Sequence, residues 1–269
     1  MTNRFSRPPL YRYSAARRVF WAAVAVVFPP RCCSCGRAGQ AFCADCRASL
    51  AYLPAPFCER CGYPVPTGTG RWCPTCGSAE RLAAATPSPL LGIRSAAFFE
   101  GALRQALHSL KYKHDIILAD DLARLLQARW RSWGLPGEVV MPVPLSAQRQ
   151  RERGYNQAAL LAEGFATLAG LACAPGGAAR VRHTLSQVGL SAAQRRENVA
   201  GAFQGAARWV AGRTVILIDD VCTTGATLTA CADALRAAGA AGVWGLTVAR
   251  ARADWHAAEH TVATSLETR

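Results

Sequence analysis

The sequence predicts an α/β fold, a doubly wound and mainly parallel sheet preceded by a small cysteine-rich module near the N-terminus. Three observations predict it. From residue 90 onward, strand-like and helix-like segments alternate along the chain. One strand, residues 214–219, contains an unbroken apolar run, as expected of a central parallel strand that is covered on both faces. Nine of the twelve cysteines lie between Cys32 and Cys76, in a stretch too short to build an apolar core of its own.

The strands and helices of the main domain follow from apolar periodicity. The predicted strands are residues 93–99, 139–143, 214–219 and 243–249. The predicted helices are residues 101–111, 116–130, 156–169 and 227–238. Because alternating strands and helices build a parallel sheet with helices on both faces, a ligand is expected at the carboxyl ends of the strands.

Composition divides the chain into three regions. Residues 1–30 form a basic segment with a short apolar helix, residues 31–80 the cysteine-rich module, and residues 90–250 the main domain, which follows a linker at 81–89. The apolar run of the first region is far shorter than the roughly 20 residues that cross a bilayer, so no membrane span is expected. Closely spaced cysteine pairs belong in a reducing compartment, and we therefore expect a cytoplasmic protein.

The chain is strongly basic, with a formal net charge of +14. Such a charge favours an anionic partner, either a nucleic acid or a phosphorylated ligand, although a solvated basic surface gives the same composition. Lys111 and Lys113 are the only lysines among 31 basic residues, and both lie at the end of a predicted helix. The helix dipole favours cations there, and lysine in so arginine-rich a chain suggests contact with phosphate.

Eight cysteines form four CxxC pairs, each of which places two thiolates on one tight turn. Two such turns complete a tetrahedral Zn²⁺ site, and four pairs in so short a stretch favour structural zinc over a redox motif. Pairing in chain order gives the sites Cys32/Cys35/Cys43/Cys46 and Cys58/Cys61/Cys73/Cys76, and a crossed pairing stays open. The module also carries Arg60, Arg71 and Trp72, a mixture that suits single-stranded nucleic acid; a ribbon that only docks on the main domain is the alternative.

The most informative stretch is residues 215–228, which runs from a buried strand through two acids and a small-residue turn into a helix. Asp219 and Asp220 are placed to accept hydrogen bonds from two neighbouring ribose hydroxyls. The turn offers backbone N–H groups at a helix N-terminus, an arrangement that binds phosphate, and Gly225 allows the backbone angles it needs. The predicted phosphate-binding residues are Cys222, Thr223, Thr224, Gly225, Ala226 and Thr227.

This stretch resembles the phosphoribosyl-pyrophosphate motif of type I phosphoribosyltransferases. A wider resemblance, to the ComF/GntX family, rests on the order of the cysteine module, KYK at 111–113, PVP at 142–144, RERGYNQ at 151–157, QVGL at 187–190, RRENV at 195–199, and this loop. The resemblance implies a type I phosphoribosyltransferase fold with an N-terminal double zinc ribbon in a cytoplasmic bacterial protein. It also implies, for some members, a link to the uptake of transforming DNA, without an established acceptor base.

Several basic residues are candidates for contact with the pyrophosphate of such a ligand. Residues 142–144 follow a buried strand and are expected to face the pyrophosphate, with a cis-proline bond as one option. Residues 187–198 lie where such folds carry a mobile flap. The candidates are Lys111, Lys113, Arg149, Arg151 and Arg153, with Arg195 and Arg196 in the flap; for the arginines at 149–153 a solvated loop is the alternative.

Two functions follow from these patterns. The first is a Mg²⁺-dependent phosphoribosyltransferase acting on phosphoribosyl pyrophosphate, in which Asp219 and Asp220 hold the ribose and Mg²⁺ neutralises the leaving group. The second is a non-catalytic factor that handles single-stranded DNA with DNA-uptake proteins and uses a phosphoribosyl pocket for regulation. No segment is recognisable as base-reading, so the acceptor base and the occurrence of turnover stay open.

Overall fold

The computed structural model describes residues 30–68, 70–77, 88–182 and 191–252. The helix expected before residue 30, most of the linker at 81–89, and residues 187–190 of the expected flap lie outside these ranges. Within them, no helix is long and apolar enough to cross a membrane.

The main domain is built on a parallel sheet with helices packed against it, which confirms the predicted fold class. The strands are β1 (Gly92–Phe98), β2 (Val139–Pro142), β3 (Ala172–Cys173), β4 (Ala178–Arg180), β5 (Phe203–Gly205), β6 (Thr214–Cys222) and β7 (Gly242–Arg250). Five of them form one parallel sheet in the order β1-β7-β6-β2-β3, while β4 and β5 pair as an antiparallel hairpin. The helices are α1 (Ala44–Ala48), α2 (Gly101–Tyr112), α3 (Leu118–Trp133), α4 (Ala147–Arg153), α5 (Gln157–Ala169), α6 (Ala192–Val199), α7 (Ala207–Val210) and α8 (Ala226–Ala237).

The sheet is buried on both faces because its central strand presents apolar side chains to each side in turn. Ile216 and Ile218 of β6 pack in a core with α2, α3 and α5. Val215 and Leu217 of the same strand pack in a second core with α8 and the β4–β5 hairpin. The continuous apolar run of the sequence therefore marks the middle of the sheet, as predicted.

The structure corrects two expectations around the site, the end of β6 and the cis-proline bond. β6 continues to Cys222, because its pairing with β7 extends to the register pair of Cys222 and Arg250. The two acids therefore lie inside the strand, near its carboxyl end. The cis-proline option at residues 142–144 is not realised, since both bonds before the prolines there are trans.

Residues 147–153, for which a solvated loop was the alternative to a pyrophosphate contact, form helix α4. It begins after Ser146, whose side-chain oxygen accepts a hydrogen bond from the amide of Arg149 (3.3 Å), and it ends at Gly154 in a left-handed conformation. Serine at the N-cap and glycine just after the last turn are common helix boundaries. The three arginines at 149, 151 and 153 are therefore displayed on a helix, not on a flexible loop.

Candidate functional site

The two acids of β6 lie beside a lysine from the end of α2. Lys111, in the last turn of that helix, forms an ion pair with the carboxylate of Asp220. The side chains are largely buried, with 18% of Lys111 and 6% of Asp220 exposed. The carboxylate of Asp219 accepts a hydrogen bond from the amide of Asp220 (2.9 Å). The structure thus brings both predicted acids and one of the two lysines into one place.

The two carboxyl groups experience opposite electrostatic effects. Burial and the negative charge of Asp220 raise the pKa of Asp219 well above its ordinary value. Burial also acts to raise the pKa of Asp220, but the ammonium group of Lys111 outweighs burial and holds that pKa below its ordinary value. The unliganded pair therefore combines an ionised Asp220 with an Asp219 that resists ionisation. Acid pairs perturbed in this way are common at functional sites.

A turn of small residues, the phosphate loop (residues 222–227), leads from β6 into α8. The side-chain oxygen of Thr224 accepts a hydrogen bond from the amide of Ala226 (3.3 Å). Thr223 and Thr224 are exposed, and the first turn of α8 contains no acidic side chain. This twelve-residue helix therefore directs the positive end of its dipole to a site without a built-in carboxylate, which favours an external anion.

Gly225 is required by backbone conformation and by packing. It is the N-cap residue of α8 with a φ of 80°, in the left-handed region that disfavours side chains. A Cβ atom at this position would lie only 2.8 Å from Cδ1 of Ile93 in β1. The glycine therefore lets the phosphate loop rest directly on the edge strand of the sheet.

The junction of α4 and α5 holds the end of α2 that carries Lys111. The buried hydroxyl of Tyr155, in that junction, donates a hydrogen bond to the carbonyl of Leu110. His114, whose ring contacts Tyr155 at 5.8 Å between centroids, has a φ of 57° and is the one non-glycine residue with positive φ in the described part of the chain. Lys113 caps α2 and is exposed. Of the two predicted lysines, Lys111 is the one that the structure pairs with an acid.

The arginine candidates on α4 differ in their surroundings. Arg149 is partly buried, whereas Arg151 is exposed. Arg153 donates a hydrogen bond to the side-chain carbonyl of Gln157 (3.0 Å), and its guanidinium lies 5.2 Å from the ring centroid of Tyr112. The helix therefore points its cations in more than one direction: Arg149 and Arg153 are partly buried, and Arg151 faces solvent.

Arg180 of the β4–β5 hairpin was not among the sequence candidates, yet it lies near the acids. Its guanidinium packs over the ring of Phe203, 5.4 Å from the centroid. Burial lowers its pKa and the charge of Arg149 lowers it further, while Asp219 acts in the opposite direction. Arg180 therefore lies within electrostatic range of both Arg149 and Asp219. Strands β4 and β5 are each three residues long, too short for alternation to reveal the hairpin that carries it.

The C-terminal part of the expected flap forms α6 and packs against α8. Arg195 and Arg196 lie on α6. Arg182, just before the flap, donates a hydrogen bond to the carbonyl of Asn198 at its other end (3.1 Å). Residues 183–190 between them lie outside the described part of the chain. Closure of Arg195 and Arg196 over a ligand stays a prediction.

The eight paired cysteines form two compact clusters in chain order. The sulfur atoms within each cluster all lie within 4.8 Å of one another; the first cluster is Cys32, Cys35, Cys43 and Cys46, and the second is Cys58, Cys61, Cys73 and Cys76. One sulfur–sulfur distance across the paired turns is 3.6 Å in each cluster. Four sulfurs at about 2.3 Å from a tetrahedral zinc lie about 3.8 Å apart, so both clusters fit a structural Zn²⁺. Cys33 stays outside the first cluster and is half-buried.

Two family models match the chain. One, described as a double zinc ribbon domain, matches residues 23–78, and the other, described as a phosphoribosyl transferase domain, matches residues 169–268. Among solved structures, glutamine phosphoribosylpyrophosphate amidotransferase from Bacillus subtilis, in complex with ADP and GMP, is similar to 53% of this chain. That match spans 30% of the amidotransferase, with 19% sequence identity and a TM-score of 0.38.

Relatives with closer sequences share most of the chain. The DNA utilization protein YhgH of Salmonella typhi is 35% identical over 193 residues, which cover 70% of this chain and 81% of the relative. Competence protein F of Haemophilus influenzae is 38% identical over 150 residues, which cover 52% of this chain and 65% of the relative. The chain therefore belongs to the ComF family of competence and DNA utilization proteins, with a double zinc ribbon ahead of a phosphoribosyltransferase domain.

Proposed function

We propose that this protein binds phosphoribosyl pyrophosphate, or a related sugar phosphate, together with Mg²⁺, and that this site serves DNA uptake. The observation that carries the proposal is the acid pair Asp219 and Asp220, which leads through the phosphate loop directly into the N-terminus of α8. Acceptors for ribose hydroxyls and an anion-binding helix end are thereby joined in one short segment. The match to a phosphoribosyl transferase domain supports the same ligand class.

Each part of this ligand has a matching part of the site. Asp219 and Asp220 accept hydrogen bonds from the ribose hydroxyls, and the amides of residues 222–227 hold the 5′-phosphate. The exposed hydroxyls of Thr223 and Thr224 add donors to the phosphate. Bound Mg²⁺ supplies positive charge between the ribose and the pyrophosphate. The site thus divides ribose recognition from phosphate recognition along one strand and one turn.

The pyrophosphate is assigned to the region between Arg149 and Arg180. These two guanidinium groups repel each other. A bound anion would reduce this repulsion and would also accept charge-assisted hydrogen bonds from both. Lys111 neutralises Asp220 in the unliganded protein and can exchange that partner for a phosphate oxygen. Arg195 and Arg196 are assigned to closure of the flap.

The same geometry would serve transfer of the ribosyl group to a base. As the bond between ribose and pyrophosphate breaks, positive charge develops on the ribose; the ionised carboxylate of Asp220 stabilises this charge, and Asp219 holds the ribose through its hydrogen bond. Arg149 and Arg180 then hold the departing pyrophosphate. Binding without transfer would instead make the pocket a regulatory one, and the two cases differ only in whether a base is consumed.

Calorimetry with phosphoribosyl pyrophosphate, with and without Mg²⁺, tests the proposal. The double variant Asp219→Asn, Asp220→Asn keeps the shape of the acids but weakens the charge-assisted hydrogen bond of Asp220, worth about 1.5–3 kcal/mol, and the hydrogen bond of Asp219, worth about 0.5–1.5 kcal/mol. The affinity should therefore fall about 100-fold. Asp233→Asn, at an exposed position of α8, is the matched control and should bind like the parent. Parent-like affinity in the double variant would overturn the proposal.

Gly225→Val separates phosphate capture from ribose recognition. The valine conflicts with the positive φ and with Ile93, so the phosphate loop must move. We expect this variant to lose inorganic phosphate as well as the sugar phosphate, whereas the double Asn variant keeps inorganic phosphate. Equal loss of phosphate in both variants would contradict the assignment of the phosphate to the loop.

The raised pKa of Asp219 also predicts a pH dependence of stability. The contribution of this residue is full below the ordinary aspartate pKa of about 4 and is lost as pH rises through its raised pKa. Asp219→Asn removes that loss. Thermal unfolding should therefore show the variant gaining stability relative to the parent as pH rises above about 4. A difference that stays constant with pH would show that Asp219 ionises normally.

A second candidate function is the binding of single-stranded DNA along α4. The helix displays Arg151 and Arg153, and the ring beneath Arg153 belongs to Tyr112, which is 60% exposed. Cations beside an exposed aromatic ring suit a phosphate backbone and a stacked base. The first and second ribbons, the segments that hold the first and second cysteine clusters, are less suitable for binding DNA than the sequence indicated. The reason is that Arg71 donates two hydrogen bonds to Glu59 (2.8 and 2.7 Å).

Fluorescence anisotropy with an oligothymidylate at several salt concentrations tests this second candidate. The double variant Arg151→Ser, Arg153→Ser removes two phosphate contacts. The slope of log affinity against log salt should therefore become less steep by about 1.4. The matched control is the double variant Arg60→Ser, Arg71→Ser in the segment of the second cysteine cluster, which should bind like the parent. The reverse result would place the DNA on the ribbon, and no binding at low salt would exclude the function.

A further inference from the structure

We infer that Arg250 is a positioning residue that couples the second cysteine cluster to the phosphate loop, so that metal in this cluster sets the affinity of the sugar-phosphate site. The inference rests on the proposed function and adds a form of regulation to the same site. Arg250 is the last residue of β7, and its side chain is buried (6% exposed).

A single nitrogen of Arg250 contacts both regions. Its Nη1 donates hydrogen bonds to the carbonyl of Cys61 (2.9 Å) and to the sulfur of Cys222 (2.8 Å). Cys61 belongs to the second cluster, and Cys222 is the first residue of the phosphate loop. The backbone strengthens the link, since Cys222 is the register partner of Arg250 and its carbonyl accepts from the amide of Ala251 (2.9 Å). Movement of the turn at Cys61 is therefore passed to the start of the loop through one side chain.

A second contact path joins the same two regions through Ile93 of β1. The amide of Ile93 donates to the carbonyl of Arg60 (2.9 Å), and Gly62 lies so close to the carbonyl of Ile93 that no Cβ fits between them. The side chain of Ile93 in turn fills the space beside Gly225. The metal-binding turn of the second cluster thus rests on the residue that supports the phosphate loop.

The metal matters to Arg250 because Arg250 contacts a turn that the metal holds in place. Four thiolates around a divalent zinc carry excess negative charge, and the guanidinium of Arg250 interacts electrostatically with Cys61, Cys73 and Cys76. A buried cation is stable only next to such compensation. When the metal leaves, the turn at Cys61 is no longer held by its ligands, and its hydrogen bond with Arg250 weakens. Arg250 then no longer holds Cys222 in place.

The first cluster offers a natural control. In the described residues its ribbon contacts α3 through Arg47 and Asp121, and it pairs with β1 at Tyr52 and Ala97; neither of these two contacts involves the phosphate loop. Metal in the first cluster should therefore have little effect on ligand binding.

Ribose 5-phosphate is the probe for the coupling, because it carries no pyrophosphate that would chelate zinc. In calorimetry Arg250→Met should weaken its binding about tenfold or more, since a buried charged hydrogen-bonding group is lost. Arg252→Met is the matched control two residues away; it removes an exposed ion pair with Glu100 and a contact over the ring of Phe98, 4.1 Å from its centroid, and should bind like the parent. Arg250→Lys retains the charge and keeps the protein folded, but one ammonium group cannot replace the planar guanidinium that contacts both partners.

The decisive measurement is the zinc affinity of the second cluster, by chelator competition in a Cys35→Ser background that disables the first. Saturating ribose 5-phosphate should tighten zinc binding by the same factor by which zinc tightens ribose 5-phosphate binding, because coupling free energies are reciprocal. Arg250→Lys should remove this coupling between zinc and ribose 5-phosphate, and Arg252→Met should keep it.

Two results would overturn the inference alone. One is a parent that binds ribose 5-phosphate equally with and without zinc in the second cluster, and the other is an Arg250→Lys variant with unchanged coupling. A zinc-loaded parent that binds neither ribose 5-phosphate nor phosphoribosyl pyrophosphate would overturn the proposed function as well.

Discussion

The two cysteine clusters share paired CxxC turns but have different physical surroundings. Phe42 and Leu50 of the first ribbon are 1% and 7% exposed and belong to the same core as α2, α3 and α5. In the second ribbon Val65 packs only with its own cysteines and Trp72 in a small separate cluster. The first ribbon is thus an extension of the main core, whereas the second is a small unit built around its ligands and docked by polar contacts. How strongly a ribbon depends on metal is therefore decided by its neighbours, not by the ligand pattern.

Loss of a metal ligand should separate the two ribbons most strongly. Zinc contributes about 10–16 kcal/mol to the folding of isolated zinc-finger peptides, and the second ribbon has almost no other core. Cys58→Ser should therefore unfold it locally, with loss of hydrogen-exchange protection at the amides of Gly62 and Val65. Cys32→Ser should leave Phe42 packed and the helix beside it protected. Similar loss of protection in both ribbons would remove the distinction.

Truncation of apolar side chains should show the same contrast at a smaller scale. Phe42→Ala deletes a fully buried ring from the main core and should lower the free energy of unfolding by about 3–5 kcal/mol. Val65→Ala should leave the main unfolding transition within about 0.5 kcal/mol of the parent, because Val65 packs outside that core. Urea denaturation measures both. A large shift in the midpoint for Val65→Ala would mean that the second ribbon unfolds together with the main domain.

The docking of the second ribbon should depend on Arg94 of β1. Its guanidinium donates to the carbonyl of Glu59 (3.2 Å) and lies over the rings of Phe57 and Trp244, 5.8 and 5.5 Å from their centroids. Arg94→Met should weaken docking by about 1–2 kcal/mol, seen as roughly tenfold faster exchange of the Ile93 amide. Arg104→Met, at an exposed position of α2, is the control. Unchanged exchange at Ile93 would assign docking to the other contacts of this ribbon, which are those of Arg250, Tyr63 and the backbone.

The smallest effect is expected for the ion pair that links the first ribbon to α3. Arg47 and Asp121 are 3.4 Å apart, and their side chains are 37% and 26% exposed, so solvent screens the attraction. Arg47→Gln should cost at most about 1 kcal/mol in urea denaturation. A loss as large as that of Phe42→Ala would show that charge, not apolar packing, holds the first ribbon in place.

Much of the fold was predictable because its signals are local. The apolar run of β6, the boundaries of α2 and α8, and the turn at Gly225 each depend on interactions within a few residues. The same holds for α4, whose cap residues Ser146 and Gly154 are local signals in the sequence. The β4–β5 hairpin could not be predicted, since three-residue strands leave no periodic pattern.

The sequence by itself determined the α/β class, the two candidate zinc sites and the acid–loop–helix segment, because spacing along the chain sets which backbone turns and helix ends can form. Only the tertiary structure decided that Lys111 meets Asp220, that Arg180 approaches Asp219, and that the second cluster, not the first, lies against the phosphate loop. These contacts join residues that are far apart in the chain. They depend on strand order and register, as when the pairing of β6 with β7 places Arg250 beside Cys222, and no local pattern specifies that register.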